Sequence, residues 1–193
     1  MSSIIRADTI QDLSGNNIIN ESGNTITIGA SGDTTNIVGT LQNNGASVGG
    51  NNTPAFLVTR SGAQSISSGS ATKIQWNSEI FDTDNTFDSS TNYRFTPGVA
   101  GKYVLAAGTR ASSFETSEKM QLTFFKNGSG VSYQTQTRSF STSSGGETIT
   151  VDAQILVESD TDDYFEVYLL QTEGGTRDIG SASYFYGYKL IGA

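Results

Sequence analysis

The aspartates are the residues of this chain with chemistry to offer. DTDNTFD (residues 82–88) carries Asp82, Asp84 and Asp88, and DTDD (residues 160–163) carries three more. Hard oxygen donors gathered this way suit a calcium ion. Neither stretch completes a calcium-binding loop, since the first has no glycine at its sixth position and no glutamate at its twelfth. Acids that cap solvated turns are the favoured reading. Calcium held by Asp82, Asp84 and Asp88 is the one cofactor the sequence leaves open.

Other chemistries lack their residues. The chain has no histidine and no cysteine, which removes the commonest general base, the commonest neutral metal ligand and any thiol nucleophile. Paired carboxylates could hydrolyse a glycoside, but a sequence cannot set two of them across a cleft at the required separation. No glycine-rich phosphate loop ending in Lys-Ser or Lys-Thr occurs. The expectation is a protein that is not an enzyme and has no catalytic residues.

Charge and composition narrow the partners. Eleven Lys+Arg against nineteen Asp+Glu give a net charge of −8, which repels a polyanion, so nucleic acid is excluded as a partner. Without cysteine, neither a disulfide framework nor a thiolate metal site is available. No apolar run approaches the roughly twenty residues of a membrane span, so no membrane insertion is expected. The opening MSSIIRADTI, with one arginine and the Ile4-Ile5 pair, is too slight for the apolar centre of a secretory signal.

The elements that must position these residues fall into two unlike parts. All aromatics (ten Phe, eight Tyr, one Trp) lie between Phe56 and Tyr188, while the first fifty residues hold eight of the twenty-two glycines. A segment without aromatics buries too little to offset its ordering entropy, so it is either a flexible linker or folded only against partners. Within it TITIG (residues 25–29) and TNIVG (residues 35–39) recur ten residues apart. The first alternates as a half-buried strand does, and three chains wound together could bury such isoleucine rows along a common axis. NNGASVGGNN (residues 43–52) then reads as a hinge. The organisation expected is a stalk over 1–42 with short intertwined strands, a hinge over 43–52 and a head over 53–193.

The head reads as all-β. Alternating runs separated by turn residues predict strands over residues 55–60, 71–81, 93–96, 101–111, 119–126, 131–140, 147–158, 164–171 and 181–192, the spacing of a β-sandwich. The last of these, ending YFYGYKLIGA, places Tyr184, Tyr186, Tyr188 and Leu190 on one face and Phe185, Gly187, Lys189 and Ile191 on the other. Both faces are largely apolar. A strand with water on one side alternates polar and apolar, so this one is expected to pack the core on one face and neighbouring subunits on the other.

Specific residues carry a resemblance. Ala55-Phe56, Ile80-Phe81-Asp82, Phe87-Asp88, Tyr93 through Phe95, Pro97-Gly98, Gly101 with Tyr103, Lys126-Asn127-Gly128 and the closing Phe185, Gly187, Tyr188 and Leu190 occur in family order. In them the head resembles the globular domain of complement C1q and its relatives, a jelly roll shared with the tumour necrosis factor superfamily. The resemblance implies a ten-stranded jelly-roll sandwich that forms a homotrimer, with the C-terminal strand central in the sheet facing the threefold axis. Phe56, Tyr103, Tyr184, Phe185, Tyr186, Gly187 and Tyr188 are then the residues of the trimer interface and core. No Gly-X-Y collagen repeat precedes the head, which argues against a complement or hormone role.

The N-terminal part is similar to something else. IIRADTIQDLSGNNII (residues 4–19) and ITIGASGDT (residues 26–34) resemble the opening segments of tail-fibre and other appendage proteins of marine and cyanobacterial phages. That resemblance implies localisation on the virion, as a tail or capsid appendage. Ile4, Ile5, Ile10 and Leu13 would attach to other virion structural proteins, and the distal head would meet a host cell-surface glycan or protein. A purely structural head-fibre or decoration protein, and a non-viral secreted C1q-like binding module, are the alternatives.

Overall fold

The computed structural model describes residues 9–15, 17–22, 25–28, 31–39, 41–43, 46–48, 52–114, 118–139 and 147–191. The chain divides into two compact units, Met1–Gly49 and Gly50–Ala193. Strands are the only regular elements among the described residues, and no helix there is long and apolar enough to cross a membrane.

In the first unit β1 (Thr9–Gln11), β2 (Asn17–Ser22) and β3 (Thr25–Ile28) form an antiparallel meander, and β4 (Gln42–Asn43) pairs with β5 (Ala46–Ser47). The turn after β1 is set by Asp12, whose carboxylate accepts the Ser14 N–H at 2.9 Å, and by Gly15 at φ 83°. Ile10 lies opposite Ile19, and Ile19 opposite Ile28, so three isoleucines form one row across the sheet. They are 44%, 37% and 55% exposed. TNIVG, the second copy of the repeat, forms no strand: Ile37 and Val38 stand side by side in sequence, so they do not alternate, and no second backbone pairs with them among the described residues. Every large apolar side chain described in this unit is exposed.

The second unit is a sandwich. β6 (Ala55–Thr59), β7 (Gln64–Ser67), β8 (Thr72–Lys73), β9 (Ser78–Asp82), β10 (Phe87–Asp88), β11 (Arg94–Phe95), β12 (Gly101–Phe114), β13 (Lys119–Lys126), β14 (Ser129–Ser139), β15 (Glu147–Ser159), β16 (Phe165–Gln171), β17 (Thr176–Ile179) and β18 (Tyr184–Lys189) follow in chain order. One sheet runs β15-β12-β18-β6-β9. The other runs β10-β11-β16-β13-β14 with β8 also on β16, and β17 pairs with β7 at one end. This antiparallel two-sheet arrangement is the jelly roll that the head was expected to form.

The strand tally exceeds ten because short pieces mark where the chain changes sheet. The run expected as one strand over residues 71–81 is two, β8 in one sheet and β9 in the other. Between them the Gln64 side chain takes the place of a strand partner, donating to the Lys73 carbonyl at 2.8 Å and accepting the Gln75 N–H at 2.9 Å. Arg60, itself buried, donates to the carbonyls of Gly62, Ala63 and Gln75 and holds the crossing in place. Ile74 and Trp76, two residues apart, are thereby both driven fully into the core.

That core is aromatic. Phe56 stacks on Phe87 at 5.1 Å between ring centroids, lies tilted against Phe95 at 4.4 Å and meets Phe185 edge-on at 4.9 Å. Phe124 and Trp76 close on Phe185 at 6.0 and 5.9 Å. Each such buried ring contributes about 2–3 kcal/mol of transfer free energy.

Candidate functional site

The acidic stretches are turn caps in the structure. Asp82 accepts from the Phe87 N–H at 2.7 Å and the Thr86 hydroxyl at 3.1 Å. Asp88 accepts from the backbone N–H groups of Ser90, Thr91 and Asn92 at 3.0, 2.8 and 3.0 Å and from the Asn92 amide at 2.7 Å. The Thr91 N–H in particular, with its neighbours, holds the Asp88 carboxyl far below the usual range. Asp84 is exposed beside them. In the second stretch the buried Asp163 takes the Lys126 ammonium at 2.7 Å, the Asn127 amide at 2.6 Å and the Asp160 N–H at 2.6 Å. No group of three metal-ligating side chains is gathered among the described residues. GASVG (residues 45–49) has the Gly-X-Ser-X-Gly spacing of a nucleophile elbow, but the chain has no histidine to serve its serine.

The residues expected at an interface and core separate cleanly by face. Phe56, Tyr103 and Phe185 are fully buried between the sheets, with the Tyr103 hydroxyl donating to the Val99 carbonyl at 2.7 Å. Gly187 is buried with them, because a β-carbon there would stand 2.4 Å from Leu105 Cδ2 and 2.8 Å from Phe56 Cε1. Glycine is what lets the Phe56 ring lie against the strand. Tyr184, Tyr186 and Tyr188 point the other way and are half-buried.

Register builds the rest of that outer face. On β12 the three tyrosines lie opposite Gly108, Ala106 and Val104, and on β6 opposite Thr59, Leu57 and Ala55. Beyond β12, the same row continues to Asp152, Gln154 and Leu156 of β15, and beyond β6 Leu57 lies opposite Phe81 of β9. Leu156 is 54% exposed and Phe81 47%. Small residues on β12 leave a groove of about 250 Å³ between the Tyr184 and Tyr186 rings, stacked at 6.0 Å, and Asp152 with Gln154. Burial first, and then the charge of Asp152, pushes the Tyr184 phenol above its ordinary range. An apolar, ring-bearing sheet face can dock a second protein surface, and it holds no group arranged for covalent chemistry.

Sequence reasoning put the three tyrosines on one face and did not name their neighbours. The signal for Leu156 was present: along β15 the outward positions are Thr150, Asp152, Gln154, Leu156 and Glu158, and the leucine alone breaks the polar series. Of the N-terminal attachment residues, Ile4 and Ile5 lie outside the described residues, while Ile10 and Leu13 are exposed. The loop TEGGTRD (residues 172–178) is tied down by a Glu173–Arg177 ion pair and by the Gln171 amide, which donates to the carbonyls of Ile66 and Gly175.

No family model matches the chain, and no curated protein matches it. Solved structures do. The globular domain of zebrafish complement 1qA superposes with a TM-score of 0.52 at 16% identity, over 72% of this chain and 98% of that one. Eiger TNF from S. frugiperda gives 0.53 at 10% identity, over 72% and 93%. Murine APRIL gives 0.51 at 10% identity, over 70% and 98%. At such identities the likeness is one of fold, and the head of this chain has the jelly roll of C1q and tumour necrosis factor domains.

Proposed function

We propose that the Gly50–Ala193 unit is a binding module that assembles with two copies of itself through the tyrosine face, and that the full chain is an appendage protein of a phage particle. The observation that carries the assembly is the face itself. A lone copy leaves Phe81, Leu156 and the edges of three tyrosine rings in water on one sheet, and contiguous apolar surface of this kind marks an interaction site. Tyrosines at the centre with Asp152, Glu158 and Lys102 toward the margin have the composition of a subunit contact. The fold likeness to C1q and tumour necrosis factor domains supports a binding module, and the residue resemblance to that family supports the threefold state.

The virion address is supported by the N-terminal resemblance and by the exposed isoleucine row with Leu13, an apolar surface suited to meeting other virion proteins. Three heads on one appendage would bind a host cell-surface glycan or protein with avidity gained from individually weak contacts.

Light scattering on the full-length chain tests the assembly: a mass three times the 20.4 kDa of one chain is expected, and a monomer overturns it. Immunogold labelling of purified particles from the source culture tests the address. Gold on an appendage is expected, and particles without label overturn it.

A further inference from the structure

A second concave surface lies away from the tyrosine face. It is a cleft of about 530 Å³ at the edge of the sandwich, lined from β9, the last strand of one sheet, and from β10 and β11 at the same end of the other. None of its lining residues belongs to the tyrosine face. Phe87 is its one apolar member and is buried, so the accessible lining is made of hydrogen-bonding groups.

Those groups divide into engaged and free. Asp88 and the Asn92 amide are committed to the turn, which fixes the shape of the wall. Arg94 sits over the Tyr164 ring, its guanidinium carbon 4.3 Å from the centroid, and has no hydrogen bond or ion pair among the described residues. Its five N–H donors are therefore left unengaged beside that ring. Glu79, Asn85 and Ser89 likewise bring acceptors and donors with no partner among the described residues.

We propose that this cleft binds a neutral saccharide of one or two rings. A sugar presents adjacent hydroxyls that each donate and accept, and a wall with unengaged donors at Arg94 and unengaged acceptors at Glu79 is their complement. An anionic ligand would face Glu79, the ionised Asp88 and a net chain charge of −8. An apolar ligand would find only the buried Phe87. This site deepens the binding-module reading and rests on it, since a weak saccharide contact becomes useful when three heads present it together.

Saturation-transfer NMR on the full-length protein tests the site, with lactose, maltose, mannobiose and chitobiose as neutral probes and sialyllactose as the acidic one. Transfer to at least one neutral sugar is expected, weakened about tenfold or more by Arg94→Ala and by Glu79→Ala with melting temperature unchanged. Loss of transfer in Glu79→Ala supports the site even where Arg94→Ala fails to fold. Silence with all four neutral sugars, transfer to sialyllactose alone, or undiminished transfer in the folded variants overturns it. Solution mass taken on the same sample separates the two readings: a monomer that still shows transfer overturns the assembly and keeps the cleft, and a trimer without transfer does the reverse.

Discussion

Gly108 of β12 lies directly across from Tyr184 of β18, and the tyrosine ring fills the space in which a β-carbon at position 108 would stand, 2.6 Å from its Cε1 and Cζ. Gly187, on the opposite face, is just as crowded, but by Leu105, Phe56 and the Val104 carbonyl of the core. The two glycines thus guard different surfaces. Gly108→Ala meets the far end of a half-buried ring that can swing outward, so the fold should lose under about 1 kcal/mol while the tyrosine face is deformed and assembly weakens. Gly187→Ala overpacks the core and should cost about 1–3 kcal/mol. Melting curves beside light scattering check this; a Gly108→Ala variant with unaltered assembly would show that Tyr184 takes no part in the contact.

The outer face gives a sharper pair. Leu156→Asp removes an exposed side chain, so the head should fold and melt as before, yet run as a monomer in light scattering. Tyr186→Asp, at the middle of the face, should yield monomers or aggregates. Wild-type assembly in both variants would move the interface elsewhere.

Acid should weaken the head in part through the buried carboxylate of Asp163. Burial alone would raise the Asp163 carboxyl, but the hydrogen bonds from Lys126, the Asp160 N–H and Asn127 outweigh it and leave it below the ordinary value. A carboxyl with a lowered folded pKa stabilises fully above its unfolded value near 3.9 and loses that contribution as pH falls through the folded one. Stability should therefore be level above about pH 4 and decline below it. Asp163→Asn should lose about 2 kcal/mol at neutral pH and show a shallower acid decline in urea titrations followed by tryptophan fluorescence.

Alkali should act through Tyr103. Burial, and after it the charge of Asp84, pushes this phenol up to about 12. A raised folded pKa stabilises below the unfolded value, near 10, and that stabilisation disappears as pH rises through the folded one. Melting temperature should hold to about pH 10 and fall between about 10 and 12. Tyr103→Phe should flatten that fall while giving up the hydrogen bond to the Val99 carbonyl, about 1 kcal/mol, and an unchanged alkaline profile would show that another group controls it.

Much of this was legible in the residues, for a local reason. Strand periodicity is carried by neighbours two apart, so β13 (Lys119–Lys126) and the alternation of β15 could be read without a fold. The turn-capping roles of Asp82 and Asp88 are local in the same way, each spanning five residues or fewer. The alternation of β18 likewise told in advance that Phe185 and Gly187 share one face and the three tyrosines the other.

Tertiary structure alone decided which aromatic does what. Tyr103 and Tyr184 are the same residue type on adjacent strands, and only the register of β12 against β18 sends one into the core and the other to the outer face. The break between β8 and β9 was hidden because its cause, the Gln64 side chain, lies outside the run it interrupts. The cleft joins Glu79 to Arg94 across two sheets, a pairing that no spacing along the chain encodes. Periodicity records which way a side chain points relative to its neighbours in sequence. What it points at is set by strands that arrive from far along the chain, and that information exists only once they have paired.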